Sequence, residues 1–113
     1  MNQNSLPVGT LLIRKYKILS VMGQGGFGIT YLAEHIELHN RFAIKEFYVR
    51  QWCTRDNCYV CAYSNEKIKF EEFKVKFLNE AQTLAKLDHK NIVKVIDYFE
   101  ENNTGYFVME YIE

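Results

Sequence analysis

Apolar, β-branched and aromatic residues are concentrated in five short stretches, which predict β-strands at about 16–22, 28–36, 41–47, 92–99 and 106–112. Between the third and fourth stretches, from about 66 to 87, apolar side chains recur every three or four residues, as in an amphipathic helix. The apolar stripe of this helix comprises Phe70, Phe73, Phe77, Ala81, Leu84 and Leu87. The order of elements predicts an α+β fold, a five-stranded antiparallel sheet with one long helix packed on it.

The residues outside these elements divide into a leader and an insert. Residues 1–10 contain the turn-forming run 6–9 and predict a loose leader, and residues 11–13 predict either a short strand or a linker. We therefore expect a leader over 1–15 and one domain over 16–113. The connection from the third strand to the helix contains an extra segment at about 48–65, which carries all three cysteines.

Length and composition exclude several classes of protein. The 113 residues suffice for one domain, and 14 cationic side chains against 14 anionic ones give no reason to expect nucleic acid as a partner. No apolar run approaches the roughly 18 residues of a membrane helix, and the polar N-terminus does not resemble a signal peptide. Three cysteines suit a reducing compartment, so we expect a cytoplasmic location.

The turn between the first two predicted strands carries glycines at 23, 25, 26 and 28, with G-x-G-x-x-G spacing. Glycine allows positive φ and close approach of a ligand to the backbone, and successive N–H groups can cradle phosphate oxygens. Residues 29–32 favour a strand rather than a helix, so the turn joins two antiparallel strands. A dinucleotide-binding turn would open a helix, and a Walker loop would continue with Gly-Lys-Ser or Gly-Lys-Thr.

The third strand and the helix each contain a charged residue that we expect to lie near this turn. Ala43 and Lys45 share a strand face, so the alanine leaves room for a flat ring while the lysine reaches phosphates under the loop. Glu80 lies on or beside the apolar stripe, where a carboxylate is costly without a cation. We expect Lys45 and Glu80 to pair. The alternative is that Lys45 extends into solvent and Glu80 lies at a solvated edge.

These features resemble the N-terminal lobe of a protein kinase, most similar to bacterial serine/threonine kinases of the eukaryotic type, over about 16–113. The motifs that carry the resemblance are the glycine-rich turn, Phe42-Ala43-Ile44-Lys45, Phe77-Leu78-Asn79-Glu80-Ala81 and Val108-Met109-Glu110-Tyr111-Ile112. Two positions depart from the family pattern. Thr30 replaces the usual valine and puts a hydroxyl in the adenine ceiling, and Lys90 replaces the usual proline after His89.

The resemblance implies ATP and Mg²⁺ as cofactors and gives each motif a role. Loop N–H groups cover the phosphates with Phe27 at the loop tip, Lys45 holds the α- and β-phosphates, and Glu80 orients Lys45. Met109 is the implied gatekeeper, and backbone groups of the two hinge positions bond the adenine edge. The implied catalytic residues are Lys45 and Glu80, and no metal ligand is implied. The implied nucleotide-binding residues are Met22, Gly23, Gln24, Gly25, Gly26, Phe27, Gly28, Thr30, Ala43, Lys45, Met109, Glu110 and Ile112.

The motifs H-R-D-x-x-x-x-N and D-F-G, which supply the base and the Mg²⁺ ligands in the family, are absent from the sequence. We therefore expect a piece of a longer kinase, in which the full enzyme transfers phosphoryl groups from ATP to protein hydroxyls. The piece itself is expected to be inactive and to bind nucleotide weakly. Its exposed apolar surface favours self-association. The choice of serine/threonine over tyrosine rests on the resemblance alone.

Two alternatives concern the insert. One is a kinase-like module without catalysis that binds a partner through this segment. The other is a zinc-binding interaction domain built on Cys53, Cys58 and Cys61, for which His35 or His39 would have to supply the fourth ligand. The simpler interpretation is three reduced thiols in a strand-like excursion that packs on the domain.

Overall fold

The computed structural model describes residues 4–87 and 94–111. Its main sheet contains β1 (Leu11–Leu12), β2 (Tyr16–Gln24), β3 (Gly28–His35), β4 (Arg41–Phe47), β7 (Val95–Glu101) and β8 (Thr104–Glu110). A separate hairpin is formed by β5 (Cys53–Asp56) and β6 (Tyr59–Ala62), and the helix α1 (Lys67–Ala85) follows one 3-10 turn at Ser64–Glu66. The spatial order of the sheet is β1-β2-β3-β4-β8-β7, with antiparallel neighbours throughout.

The predicted α+β fold is confirmed, but the main sheet has six strands rather than five. The additional strand is β1, which pairs with the start of β2 at the sheet edge. The helix α1 was expected over 66–87 and spans nearly that length. The first residues of the strand predicted at 92–99, and Ile112 of the last one, lie outside the described residues.

One face of the sheet is covered by α1. The ring of Phe47 on β4 lies 5.2 Å from that of Phe70 and 5.4 Å from that of Phe77, measured between centroids. Phe77 also packs on Phe107 of β8, at 4.9 Å. Because strand side chains alternate, Lys45 shares the α1-facing side of β4 with Phe47. This face therefore holds the residues of the candidate site.

The opposite face is covered by the N-terminal segment and the insert hairpin. Leu6, Leu12 and Val60 are fully buried there in one cluster with Tyr31 and Ile44. The expectation of a loose leader is thus wrong for the described part of residues 1–10. The physical reason is that this sheet face is also apolar and must be removed from water.

A buried charge ties the insert to the central strand. Glu46 of β4 has no exposed side-chain surface, and its carboxylate accepts two hydrogen bonds from Arg55 of β5, at 2.6 and 3.1 Å. The hydroxyls of Tyr31 and Tyr106 donate to the same carboxylate, at 2.7 and 2.6 Å. Burial beside this carboxylate raises the pKa of both phenols. The excursion at 48–65 is therefore a fixed part of the fold.

Within the ranges 4–87 and 94–111, no helix has the length and apolar character needed to cross a membrane.

Candidate active site

The glycine-rich turn joins two antiparallel strands, as predicted. Gly23 at the end of β2 pairs with Thr30 of β3, and the N–H of Gly25 donates to the carbonyl of Gly28 at 2.8 Å. No helix follows the last glycine, because the chain continues directly into β3. The turn therefore has neither the dinucleotide-binding nor the Walker arrangement.

The four glycines of the turn have different roles. A Cβ on Gly28 would lie 2.7 Å from the carbonyl oxygen of Glu46, so only glycine fits where the start of β3 pairs with the end of β4. A Cβ on Gly23, Gly25 or Gly26 would meet no atom within 4 Å. None of the four has a positive φ, so the turn does not need glycine for that reason. Three of the glycines leave open space beside the loop backbone, where a ligand can approach it.

The strand register brings four of the predicted site residues to one surface. Thr30 lies opposite Lys45, and Lys45 lies opposite Phe107 on the next strand. Ala43 lies opposite Met109 in the same way. Residues directly opposite one another in an antiparallel pair share a face. The structure thus aligns the residues expected at the adenine with the lysine expected at the phosphates.

A cleft of about 350 Å³ separates this face from α1. It is lined by Phe27, Lys45, Phe47, Phe73, Lys76, Phe77, Glu80 and Phe107. Five of these side chains are aromatic, and the charged ones are two lysines and one glutamate. The loop tip, the strand lysine and the helix carboxylate therefore meet at one cleft.

The expected ion pair between Lys45 and Glu80 is not formed. Both residues belong to the described part of the chain, and no ion pair within 4.0 Å joins them. The ammonium of Lys45 lies 5.9 Å from the ring centroid of Phe107, and Glu80 is exposed. An exposed carboxylate keeps its hydration, so it does not need a cation for stability. Glu80 therefore lies at a solvated edge of the stripe, which is the alternative that the sequence had left open.

The remaining predicted positions lie around the cleft or outside the described ranges. Met22 and Gln24 are exposed at the end of β2, and Met109 packs half-buried against Val95 and Phe107. The N–H of Glu110 donates to the carbonyl of Lys94 at 3.1 Å. Ile112, expected to contact the adenine edge, lies outside the described residues.

The cysteines do not form a metal site. The register of the insert hairpin pairs Cys53 with Ala62 and Thr54 with Cys61, which puts Cys53 and Cys61 on opposite faces. Among the residues of known placement, no group of three or more His, Cys, Asp or Glu side chains could hold a metal ion. The Cys53 thiol is buried and donates to the carbonyl of Val49 at 3.1 Å. The zinc alternative therefore has no support from the geometry.

Two features of the site were not predicted from the sequence. Glu46 follows Lys45 directly, and its burial could have been suspected because it alternates onto the same face as Ile44. The sequence pattern did not identify Arg55 as the partner of Glu46, because Arg55 lies in the insert. Trp52 of the insert contacts the loop tip through Phe27, at 6.1 Å between ring centroids, and nothing in the spacing indicated this contact.

Comparison with known proteins agrees with this geometry. Residues 16–113 match the protein kinase domain family. The chain is 38% identical over 106 residues to the serine/threonine-protein kinase PrkC of Bacillus subtilis, covering 94% of this chain and 14% of PrkC. It is 30% identical to the probable serine/threonine-protein kinase YbdM of the same organism, covering 93% of this chain and 35% of YbdM.

Solved structures show the same fold. A structure described as the PpkA-294 apo form matches with a TM-score of 0.90 and 30% identity, over 96% of this chain and 39% of that one. The kinase domain of PknI from Mycobacterium tuberculosis matches with a TM-score of 0.66 at 22% identity, over 96% of this chain and 37% of that one. The latter likeness concerns the fold alone.

A glycine-rich turn over a strand lysine, with one helix on an antiparallel sheet, defines the N-terminal lobe of a protein kinase. The chain belongs to the protein kinase family, as the resemblance predicted. Its curated relatives include bacterial serine/threonine kinases, and it spans 14% of the length of PrkC and 35% of that of YbdM.

Proposed function

We propose that this chain is the ATP-binding lobe of a serine/threonine protein kinase that transfers phosphoryl groups from ATP to protein hydroxyls. The observation that carries the proposal is the common cleft of Phe27 at the loop tip, Lys45 on β4 and Glu80 on α1. The curated relatives named above support the reaction type and the preference for serine and threonine.

The residues at the cleft suit the polyphosphate of ATP. Open space beside Gly23, Gly25 and Gly26 lets phosphate oxygens approach the loop backbone, and Lys45 supplies a positive charge on the facing strand. Glu80 lines the same cleft, and its proposed role is to orient Lys45 when nucleotide is bound. In this proposal Glu80 positions Lys45, while the loop backbone and Lys45 bind the phosphates.

The adenine would lie on the surface formed by Thr30, Ala43 and Met109. Ala43 leaves room for a flat ring because its side chain ends at Cβ. Thr30 presents a hydroxyl where kinases usually have valine, which makes this ceiling more polar. Backbone groups of Glu110 and Ile112 would bond the adenine edge.

Mg²⁺ neutralises phosphate charge during phosphoryl transfer, and no cluster of ligands for it exists within the described residues. The sequence also contains neither of the two motifs that supply the base and the metal ligands in the family. We infer that these 113 residues alone transfer no phosphoryl group and bind nucleotide weakly. A cytoplasmic location, a protein substrate and self-association of the lobe stay predictions, as does the non-catalytic alternative.

The test is an amide NMR titration of the chain with a non-hydrolysable ATP analogue and Mg²⁺. We expect shifts at residues 23–28 and 43–45, and their loss in Lys45→Ala. The matched control is Lys17→Ala, which removes an exposed lysine of β2 at a distance from the loop and should bind like the wild type. Shifts confined to other surfaces, or equal binding by Lys45→Ala, would contradict the proposal. The melting temperature should rise only slightly with nucleotide, because weak binding stabilises little.

A further inference from the structure

Two lysines line the cleft between the sheet and α1, and they come from opposite walls. Lys45 belongs to β4, and Lys76 belongs to α1. Glu80 is the one carboxylate that lines the cleft within the described residues. Two ammonium groups against one carboxylate leave the described lining positively charged, and a cleft of one sign concentrates ions of the other. The lining therefore suits an anion better than a neutral ligand.

The ammonium of Lys76 is not neutralised by a carboxylate. Glu72 and Glu80 lie one helical turn before and one after it, a spacing at which glutamate and lysine often pair. In the described part of the chain, neither carboxylate comes within 4.0 Å of this ammonium. Lys69 of the same helix, by contrast, pairs with Glu66 at 3.6 Å. The charge of Lys76 is therefore available to an anion in the cleft.

An aromatic ring holds Lys76 beside the tip of the glycine-rich loop. Its ammonium lies 4.6 Å from the ring centroid of Phe73. Phe73 in turn stacks on Phe27 of the loop tip, with 6.1 Å between ring centroids. The ring quadrupole attracts a cation but carries no net charge, so this contact positions the ammonium without neutralising it. Lys76 therefore presents its charge at the end of the cleft that the loop tip borders.

The side chains along β4 give the cleft a direction. Ala43, Lys45 and Phe47 lie on one face of the strand, at steps of about 7 Å. Phe47 is opposite Gly28, where the loop ends and β3 begins. The adenine surface proposed above is at Ala43, so a polyphosphate that extends from it toward the loop passes Lys45 first. The next cation among the lining residues is Lys76, at the loop tip.

We propose that Lys76 binds the terminal phosphate of the nucleoside triphosphate, while Lys45 binds the inner phosphates. A lysine ammonium is a compact charge with three donors on a flexible stem, and it binds phosphate as a point charge. A diphosphate ends one phosphate earlier and gains nothing from Lys76. The cleft thereby discriminates a triphosphate from a diphosphate through a residue of α1. This inference rests on the proposed function, because it concerns the same cleft.

The experiment measures the dissociation constants of two Mg²⁺ complexes, those of a non-hydrolysable ATP analogue and of ADP, by amide NMR titration of the chain. Lys76→Gln removes the charge from an exposed side chain and leaves the ring of Phe73 in place. We expect this variant to bind the analogue about 3- to 10-fold more weakly, as for one lost charged contact at a hydrated site. Its affinity for ADP should change by less than about 2-fold.

Three further variants separate this role from other effects. Lys76→Arg keeps the cation and should bind the analogue nearly as the wild type does. Lys45→Ala should weaken binding of both the analogue and ADP, because the inner phosphates are common to them. Lys69→Gln is the matched control, because Lys69 also lies on an aromatic ring, 5.5 Å from the centroid of Trp52, but is not among the residues that line the cleft. It should leave both dissociation constants unchanged.

Unchanged binding of the analogue by Lys76→Gln, with binding lost in Lys45→Ala, would overturn this inference and leave the proposed function intact. Equal weakening of the analogue and of ADP by Lys76→Gln would overturn it as well, because Lys76 would then act on the inner phosphates. A loss of the same size in Lys69→Gln would also contradict it, because the charge of the whole helix would then attract the nucleotide. Absence of binding by the wild type would overturn both proposals. A thermal melt of each variant verifies that the chain is folded.

Discussion

The guanidinium of Arg55 makes two hydrogen bonds to the carboxylate of Glu46 in a place where 4% of the arginine side chain and none of the glutamate side chain is exposed. Two further N–H donors of Arg55 reach the carbonyls of Asn4 and Cys58, at 2.7 and 3.0 Å. Two tyrosine hydroxyls complete the shell of the carboxylate. A buried ion pair is tolerated when every polar group is satisfied, and this one joins three segments of the chain.

Removing one member of this pair should destabilise the domain strongly. Arg55→Met leaves the Glu46 carboxylate buried without its cation, which costs about 3–5 kcal/mol of unfolding free energy. Urea denaturation, monitored by circular dichroism, measures this loss of unfolding free energy. Arg50→Met, at an exposed arginine three residues before β5, should stay within about 0.5 kcal/mol of wild type. A small effect of Arg55→Met would show that the pair is hydrated in solution.

The two glycines at the end of the turn should respond oppositely to alanine. Gly28→Ala brings a methyl group against the backbone carbonyl of Glu46, so we expect a loss of about 1–3 kcal/mol. Gly26→Ala meets open space with no positive φ, and it should be neutral or stabilise by up to about 1 kcal/mol. Thermal unfolding of the two variants side by side is the measurement. Equal destabilisation of both would mean that the loop has a different conformation in solution.

Neutralising Glu80 should leave the stability of the domain unchanged. Its side chain is exposed and forms no ion pair with Lys45 in the structure, so Glu80→Gln should change the unfolding free energy by less than about 0.5 kcal/mol. Glu72→Gln, at another exposed glutamate of α1, is the matched control. A loss above about 1 kcal/mol for Glu80→Gln alone would indicate that the pair exists without nucleotide.

The three thiols should differ in reactivity. Burial raises the pKa of the Cys53 thiol to about 11, and this side chain is 1% exposed. The thiolate is the reacting species, so Cys53 should be alkylated far more slowly than Cys58 or Cys61 in the folded chain. Iodoacetamide labelling at about pH 8, read by peptide mass spectrometry, tests this. Equal alkylation rates at all three cysteines in the folded chain would show that the insert opens readily. As the control, the three alkylation rates should become equal when the chain is unfolded in urea.

The stability of the domain should fall in alkaline solution. Burial raises the pKa of Tyr16 and of Tyr48 to about 12, above the 10.0 of the unfolded chain, with the Asp97 carboxylate adding to the effect at Tyr16. Between pH 10.0 and 12 the phenols are deprotonated in the unfolded chain but still protonated in the folded one. Their contribution to the free energy of unfolding is therefore fully present below pH 10.0 and is lost as the pH rises toward 12. Urea midpoints measured from neutral to alkaline pH follow this. Tyr16→Phe should reduce the slope, and a rising midpoint would contradict the assignment.

Hydrophobic periodicity was sufficient to locate the long elements. The strands around Tyr16, Gly28 and Arg41 begin at the predicted residues, because alternation and turn residues mark their limits. The hairpin between β7 and β8 was also predicted, and its turn residues Asn102 and Asn103 both have positive φ, as such turns require. These strands and this hairpin could be predicted because their limits depend on residues close to one another in the sequence.

Features that depend on distant partners were missed or left open. The sequence left residues 11–13 open between a short strand and a linker, because β1 has two residues, pairs only at the sheet edge and shows no periodicity of its own. The burial of Leu6 follows from an apolar sheet face that the insert leaves partly uncovered, which no nearby residue indicates. For Lys45 and Glu80, the sequence indicated that they belong to one cleft. It did not determine their separation, because that depends on the tertiary placement of α1.

Lys45 and Glu46 are consecutive residues whose side chains leave β4 on opposite sides of the sheet. One peptide unit therefore joins the residue whose ammonium lines the cleft to the residue that anchors the hairpin behind the sheet. Anyone who shortens this lobe by excising residues 50–63, as if they were a dispensable surface loop, would strand an anion in an apolar interior directly behind that lysine. Loop grafting and minimised versions of this domain should keep the hairpin, or replace Glu46 at the same time.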